Sequence, residues 1–135
     1  MRKTAFAVIV GLILAPFGVI QPVSAQSSTA CNTGGVTAFA KETLTVSTVA
    51  LPLTASVYNP ANGPRATVAL IAVNSNNIRV WFDGSAPTDT AGIIVAAGAA
   101  PFYACGADIP KVQMIRDDGS DAEVAVQYFF NPNIN

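Results

Sequence analysis

An all-β fold is predicted for this chain: a small single-domain antiparallel β-sandwich or barrel, jelly-roll-like, of about eight short strands. Three observations predict it. Ala, Val, Thr, Gly and Asn are favoured over Lys, Glu and Leu, which suits strands and turns better than long helices. Turn signals punctuate the chain at roughly the 8–12-residue spacing of sandwiches and barrels. No segment keeps a 3.6-residue apolar period for more than about two turns.

Gln26 to Gly35 is rich in Ser, Thr, Asn and Gly and reads as an irregular lead-in. Val36 to Lys41 reads as a short strand. Thr43-Leu44-Thr45-Val46-Ser47 alternates polar and apolar residues, the period of a half-buried strand. Pro52 interrupts pairing, and Leu53 to Tyr58 forms another short strand. Asn59-Pro60-Ala61-Asn62-Gly63-Pro64 is a turn cluster. Ala66 to Val73 is an apolar run suited to a central strand. Asn74-Ser75-Asn76-Asn77 turns the chain into the strand Ile78 to Asp83. Ala91 to Ala97 and Phe102 to Ala104 follow. Lys111–Arg116 and Ala122–Phe130 flank Asp117-Asp118-Gly119-Ser120-Asp121, a hairpin signal. In the last strand Val124, Val126 and Tyr128 share one face.

The first 25 residues have a different organisation. Met1-Arg2-Lys3 is a positive start, Ala5 to Ile20 is sixteen residues without a charge, and Val23-Ser24-Ala25 is a small-x-small cleavage site. That order is a secretory signal peptide. The apolar run is shorter than the roughly 20 residues of a spanning helix, and Pro16, Gly18 and Pro22 interrupt its end. The alternative is an uncleaved anchor. The expected organisation is a signal peptide over 1–25, a lead-in over 26–42 and a β-sandwich domain over 43–135. The product is secreted, periplasmic or on the cell surface. After cleavage no segment binds a membrane.

In an oxidising compartment Cys31 and Cys105, the only cysteines, suggest a disulfide. The alternative is two unpaired thiols. Past residue 25 the chain has five basic residues (Lys41, Arg65, Arg79, Lys111, Arg116) and eight acidic ones, a formal charge of −3. That balance has no electrostatic footprint for nucleic acid. Charge this sparse implies either a surface of uncharged polar groups or a surface partly covered by another subunit.

Catalytic chemistry has little to build on. The chain has no histidine, which removes the usual general base and metal ligand. Bonded cysteines are not nucleophiles. No phosphate-binding loop, dinucleotide fingerprint or zinc spacing occurs. Asp117, Asp118, Asp121 and Glu123 could approach a hard cation, but their order does not match an EF-hand, and Asp-Gly makes a turn. Asp83 and Asp89 are a candidate carboxylate pair for glycoside chemistry, read more simply as loop residues. The expectation is no enzyme, no cofactor and no metal. Trp81 is the only tryptophan. On a strand Arg79, Trp81 and Asp83 share one face, opposite Ile78, Val80 and Phe82. The first face suits binding, or an Arg lying along an indole. Tyr58 and Tyr103 are further candidate stacking residues.

The run Ile78-Arg79-Val80-Trp81-Phe82-Asp83-Gly84-Ser85-Ala86-Pro87-Thr88-Asp89-Thr90-Ala91-Gly92 resembles a pattern, I-R-x-x-x-D-G-x-x-P-T-x-x-x-G, of small β-rich structural proteins of tailed bacteriophages and related elements. The similarity continues through Ile93-Ile94-Val95, Ile109 to Arg116 and Val124 to Tyr128, and covers residues 43–130. It implies a virion-associated structural component with no catalytic residues to carry over. The export signal and the two cysteines depart from that pattern. The expected function is an exported, non-enzymatic structural or assembly module, virion-like or on a cell surface, with a protein partner or its own copies. The alternative is a secreted module that binds a glycan or the cell envelope through an exposed aromatic face.

Overall fold

The computed structural model describes residues 31–133. The expected signal peptide and cleavage site lie outside the described residues. Among the described residues eight strands form: β1 Thr37–Val46, β2 Leu51–Pro52, β3 Val68–Ser75, β4 Ile78–Trp81, β5 Ile93–Val95, β6 Phe102–Cys105, β7 Gln113–Arg116 and β8 Ala122–Phe130. A single helical turn, α1, spans Ala55–Tyr58, and a 3₁₀ helix spans Gly106–Lys111.

The strands make two four-stranded sheets, ordered β1-β8-β3-β6 and β2-β7-β4-β5. Every pairing is antiparallel, and four of them are nested: β1 with β8, β2 with β7, β3 with β6, β4 with β5. The chain is therefore one long hairpin of four strand pairs, rolled up so that β8 meets β3 and β7 meets β4. That winding is the jelly roll. Neither sheet closes on itself, so the fold is a sandwich and not a barrel.

Strand alternation places the core between the sheets. On β8, Ala122, Val124, Val126 and Tyr128 point inward and are buried, while Glu123 points out. Ala69, Ile71 and Val73 of β3 do the same. Ile78 and Val80 of β4 and Met114 of β7 meet them from the second sheet.

Several elements differ from expectation. The two strands expected over 36–41 and 43–47 are one ten-residue strand, β1, with an irregularity between Ala38 and Ala40. Thr37 to Glu42 therefore belong to the sandwich and not to a lead-in. Glu42 keeps the ladder continuous opposite Val126. The strand expected over Leu53 to Tyr58 is mostly helical: Thr54 C=O accepts the N–H groups of Val57 at 2.9 Å and Tyr58 at 3.2 Å. The stretch Asp117–Asp121 is not a hairpin, because β7 and β8 lie in different sheets. It crosses between them, held by Arg116 N–H on Ser47 C=O and Asp117 N–H on Asn77 C=O.

Glu42 faces inward and finds partners there. Its Oε1 accepts from the Tyr128 hydroxyl and from Thr54 N–H at 3.2 Å. Burial, and then the Glu42 hydrogen bond, raise the Tyr128 phenol above its ordinary pKa of 10.0. A group whose pKa is raised on folding stabilises the fold fully below its unfolded pKa. That contribution is lost as pH climbs above it. The melting temperature of wild type is expected to fall above about pH 10. In Tyr128→Phe that alkaline limb flattens, which a melting series against pH would read.

The disulfide joins Cys31 to Cys105 of β6, with Cα atoms 5.4 Å apart, inside the usual range. Among the described residues, no helix is long and apolar enough to cross a membrane.

Candidate binding surfaces

The alternation of β4 sends Ile78 and Val80 into the core and Arg79 and Trp81 to the outer face of the second sheet. This is the face assigned from sequence. It is not open, however. The loop after β4 folds back across it. Gly84 N–H bonds Lys111 C=O at 3.0 Å, and Thr88 closes the loop through Ala91, whose N–H reaches Thr88 Oγ1 at 3.0 Å. Pro87 is buried beneath. A Cβ on Gly92 would lie 2.8 Å from Arg79 Cβ and 3.2 Å from Pro87 Cβ, so these three residues pack on one another. Ile115, beside Arg79 on the same face, is only 9% exposed.

Arg79 also has an ionic partner. Its Nε lies 2.6 Å from Asp117 Oδ1, with side-chain exposures of 17% and 15%. The oxygen is out of line with the N–H, so the contact is an ion pair and not an aligned hydrogen bond. Arg116 and Asp121 make a more exposed pair, Nη1 to Oδ1 at 2.9 Å. Asp117→Ala would leave a shielded guanidinium without its counter-charge, and is expected to cost about 2 kcal/mol. Asp121→Ala should cost less than about 1 kcal/mol, because solvent already screens that pair. Urea denaturation of both variants checks the order.

The five residues nominated from sequence do not form one surface. Arg79 and Trp81 are on the second sheet, and Trp81 is half-buried. Asp83 lies beyond the end of β4, where its Oδ1 accepts Ser85 N–H at 2.9 Å. That backbone hydrogen bond holds the exposed Asp83 carboxyl below its ordinary pKa. Tyr103 is half-exposed on the outer face of the first sheet, opposite Leu70. Tyr58 is half-buried on α1, its ring 6.2 Å from that of Tyr128.

Two depressions mark the outer faces. One, of about 800 Å³, lies beside the folded-back loop and is lined by Thr48, Val49, Pro87, Asp89, Ile115 and Asp118, among others. The other, of about 450 Å³, is a trough on the first sheet lined by Lys41, Thr43, Leu70, Ala72, Ala125 and Gln127, with Glu42 and Val126. The acidic residues singled out as a possible cation site are dispersed among other partners. Asp117 takes Arg79, Asp118 accepts Asn77 N–H at 2.8 Å, Asp121 takes Arg116, and Glu123 takes Asn74. Among the described residues, no three His, Cys, Asp or Glu converge as metal ligands would.

Sequence reasoning missed the Arg79–Asp117 pair and the burial of Pro87. The first depends on β7 lying beside β4, which no local signal encodes. For Pro87 a signal existed, since a proline held between Asp-Gly and Gly92 marks a rigid loop, but its direction of folding did not. What these features define is an eight-stranded jelly-roll sandwich with a strapped outer face. No protein-family model, curated protein or solved structure matched the chain.

Proposed function

We propose that this chain is an exported, non-enzymatic structural or assembly module, built into a particle or a cell surface through contacts with protein. The observation that carries the reading is the strapped outer face of the second sheet. Its polar groups are engaged within the chain: Asp83 by Ser85, Thr88 by Ala91, Arg79 by Asp117. Such a face is stiff and suited to docking. The jelly roll is an architecture of capsid and lectin domains, and it supports the reading without deciding it, because function resides in sites and not in folds. The likeness of Ile78 to Gly92 to phage structural proteins points the same way, and the disulfide suits an extracytoplasmic destination. The test is fractionation of cells producing the full chain, followed by cross-linking. Recovery in high-mass complexes of the envelope or of released particles is expected. Recovery only as free single chains overturns the reading.

One observation favours a second reading, a glycan- or envelope-binding module. Tyr103 is 51% exposed beside Leu70, which lines the trough with Lys41, Thr43 and Gln127. An aromatic ring next to polar groups is a stacking platform for a sugar. A glycan array probed with wild type and Tyr103→Ala tests it. Binding lost in the variant supports this reading, and no binding by wild type removes it.

A further inference from the structure

Each sheet of the sandwich has two edges, and edges with free backbone groups pair readily with other chains unless something blunts them. Three of the four are blunted here. β1 carries the exposed charge of Lys41. β2 ends in Pro52, which has no N–H to offer a partner strand. β6 is preceded by Pro101 and ends in the disulfide at Cys105. β5, though only three residues long, carries no charge, no proline and no covalent tie. It is hydrogen-bonded to β4 on one side, and no described strand lies on the other.

The surroundings of β5 are unusual in the same direction. From Ala91 to Ala107 the chain has no Asp, Glu, Lys or Arg, and no Ser, Thr, Asn or Gln. Most of this stretch is exposed, including Ile93 at 50%, Ile94 at 53% and the continuous run Ala96 to Pro101. A contiguous apolar patch of this kind marks an interaction site.

We propose that the β5 edge pairs with β5 of a second copy of this chain. The pairing is antiparallel across a two-fold axis at Ile94, so that two four-stranded sheets become one of eight strands. The charge distribution selects the occupant. Past residue 25 the chain is acidic, with the five basic residues outnumbered by eight acidic ones. Contact between copies through the acidic loops sets like charges together. The uncharged β5 side is where two copies meet without that repulsion. An antiparallel ladder between identical strands is self-complementary by symmetry, as a two-fold interface requires. Centring on Ile94, the middle of the three-residue strand, uses the whole strand and places each Ile94 directly opposite its mate.

This inference rests on the assembly reading and narrows it to one surface and one partner. The test is sedimentation of the purified full chain across a range of concentration, with Ile94→Lys, Ile94→Glu and, as a control beside β2 at the opposite edge of the same sheet, Val49→Lys. Val49 is 72% exposed. Wild type and Val49→Lys are expected to double in mass as concentration rises. Each Ile94 variant alone is expected to stay a single chain, with the circular dichroism of wild type. An equimolar mixture of Ile94→Lys and Ile94→Glu should recover the dimer, because opposite charges then face each other across the axis. That recovery also shows both variants to be folded. A wild type that never associates, a dimer that survives Ile94→Lys, loss of the dimer in Val49→Lys, or a mixture that stays monomeric each overturns the proposal. If the chain is nevertheless found in high-mass complexes in cells, the β5 pairing fails and the assembly reading stands.

Discussion

Breaking the Cys31–Cys105 bond is expected to lower stability by about 4 kcal/mol, the loop-closure entropy of 74 residues in the chain-entropy model. In a domain of this size that corresponds to a fall in melting temperature of roughly 15–25 °C. The structure explains what the bond holds. Cys105 lies on β6 opposite Val68, on the outer side of the first sheet. Val68 is nevertheless only 2% exposed. The bond tethers Cys31, and with it the segment leading into β1, at that position. Cut free, the segment can leave, while β1 itself remains laddered to β8 over nine residue pairs. The sheet signal in circular dichroism should therefore survive in the cold while the melting point drops. Calorimetry of wild type and of the double variant Cys31→Ser/Cys105→Ser measures it. A loss under about 1 kcal/mol would show that the ladder of β1, and not the disulfide, anchors the N-terminal side.

Much of this architecture was legible because strand alternation is a local signal. Val124, Val126 and Tyr128 share a face in sequence and share the core in the structure. Ile78 and Val80 against Arg79 and Trp81 are divided the same way. The boundary between Lys41 and Thr43 was misplaced for a physical reason. Glu42 looks like a break in an apolar pattern, yet it sits inward because Tyr128 and Thr54 supply donors from distant parts of the chain. The hairpin expected at Asp117–Asp121 failed in a related way. Asp-Gly chemistry specifies that the chain turns, not which sheet it turns toward. The nested pairing of β2 with β7 and β1 with β8 makes that choice. The 3₁₀ helix over Gly106–Lys111 has no periodic signal, being one short element around Pro110.

The candidate surfaces were less legible than the fold. Aromatic residue type nominated Trp81, Tyr58 and Tyr103 alike, but exposure separates them: Tyr103 is open, Trp81 is half-covered, and Tyr58 packs beside Tyr128. The β5 edge was visible only as an uncharged stretch broken by glycine and proline. Its meaning depends on β5 being the last strand of its sheet, which is a property of the assembled sandwich.

Gly92 links the strap to that edge, and Gly92→Ala is the second substitution with a large expected effect. Its φ is +142°, a conformation that side chains rarely adopt, at a cost on the order of 1–3 kcal/mol. The added Cβ would also lie 2.8 Å from Arg79 Cβ, closer than two such carbons can approach, with Pro87 Cβ at 3.2 Å on the other side. Neither neighbour is the free end of a flexible chain. Arg79 Cβ is fixed by the β4 ladder to β5 and β7, and Pro87 is buried in the closed loop. The combined loss is expected to be about 3–4 kcal/mol, since overpacking adds roughly 1–3 kcal/mol to backbone strain. Gly84→Ala, with φ of +92° and open space around its Cβ, has the strain without the collision and should cost less. Comparing the two by urea denaturation separates conformation from packing. Because Gly92 stands immediately before Ile93, relief of the collision must push the start of β5 away from β4. Gly92→Ala should therefore weaken self-association beyond what its loss of stability explains, whereas Gly84→Ala should leave association at the wild-type level.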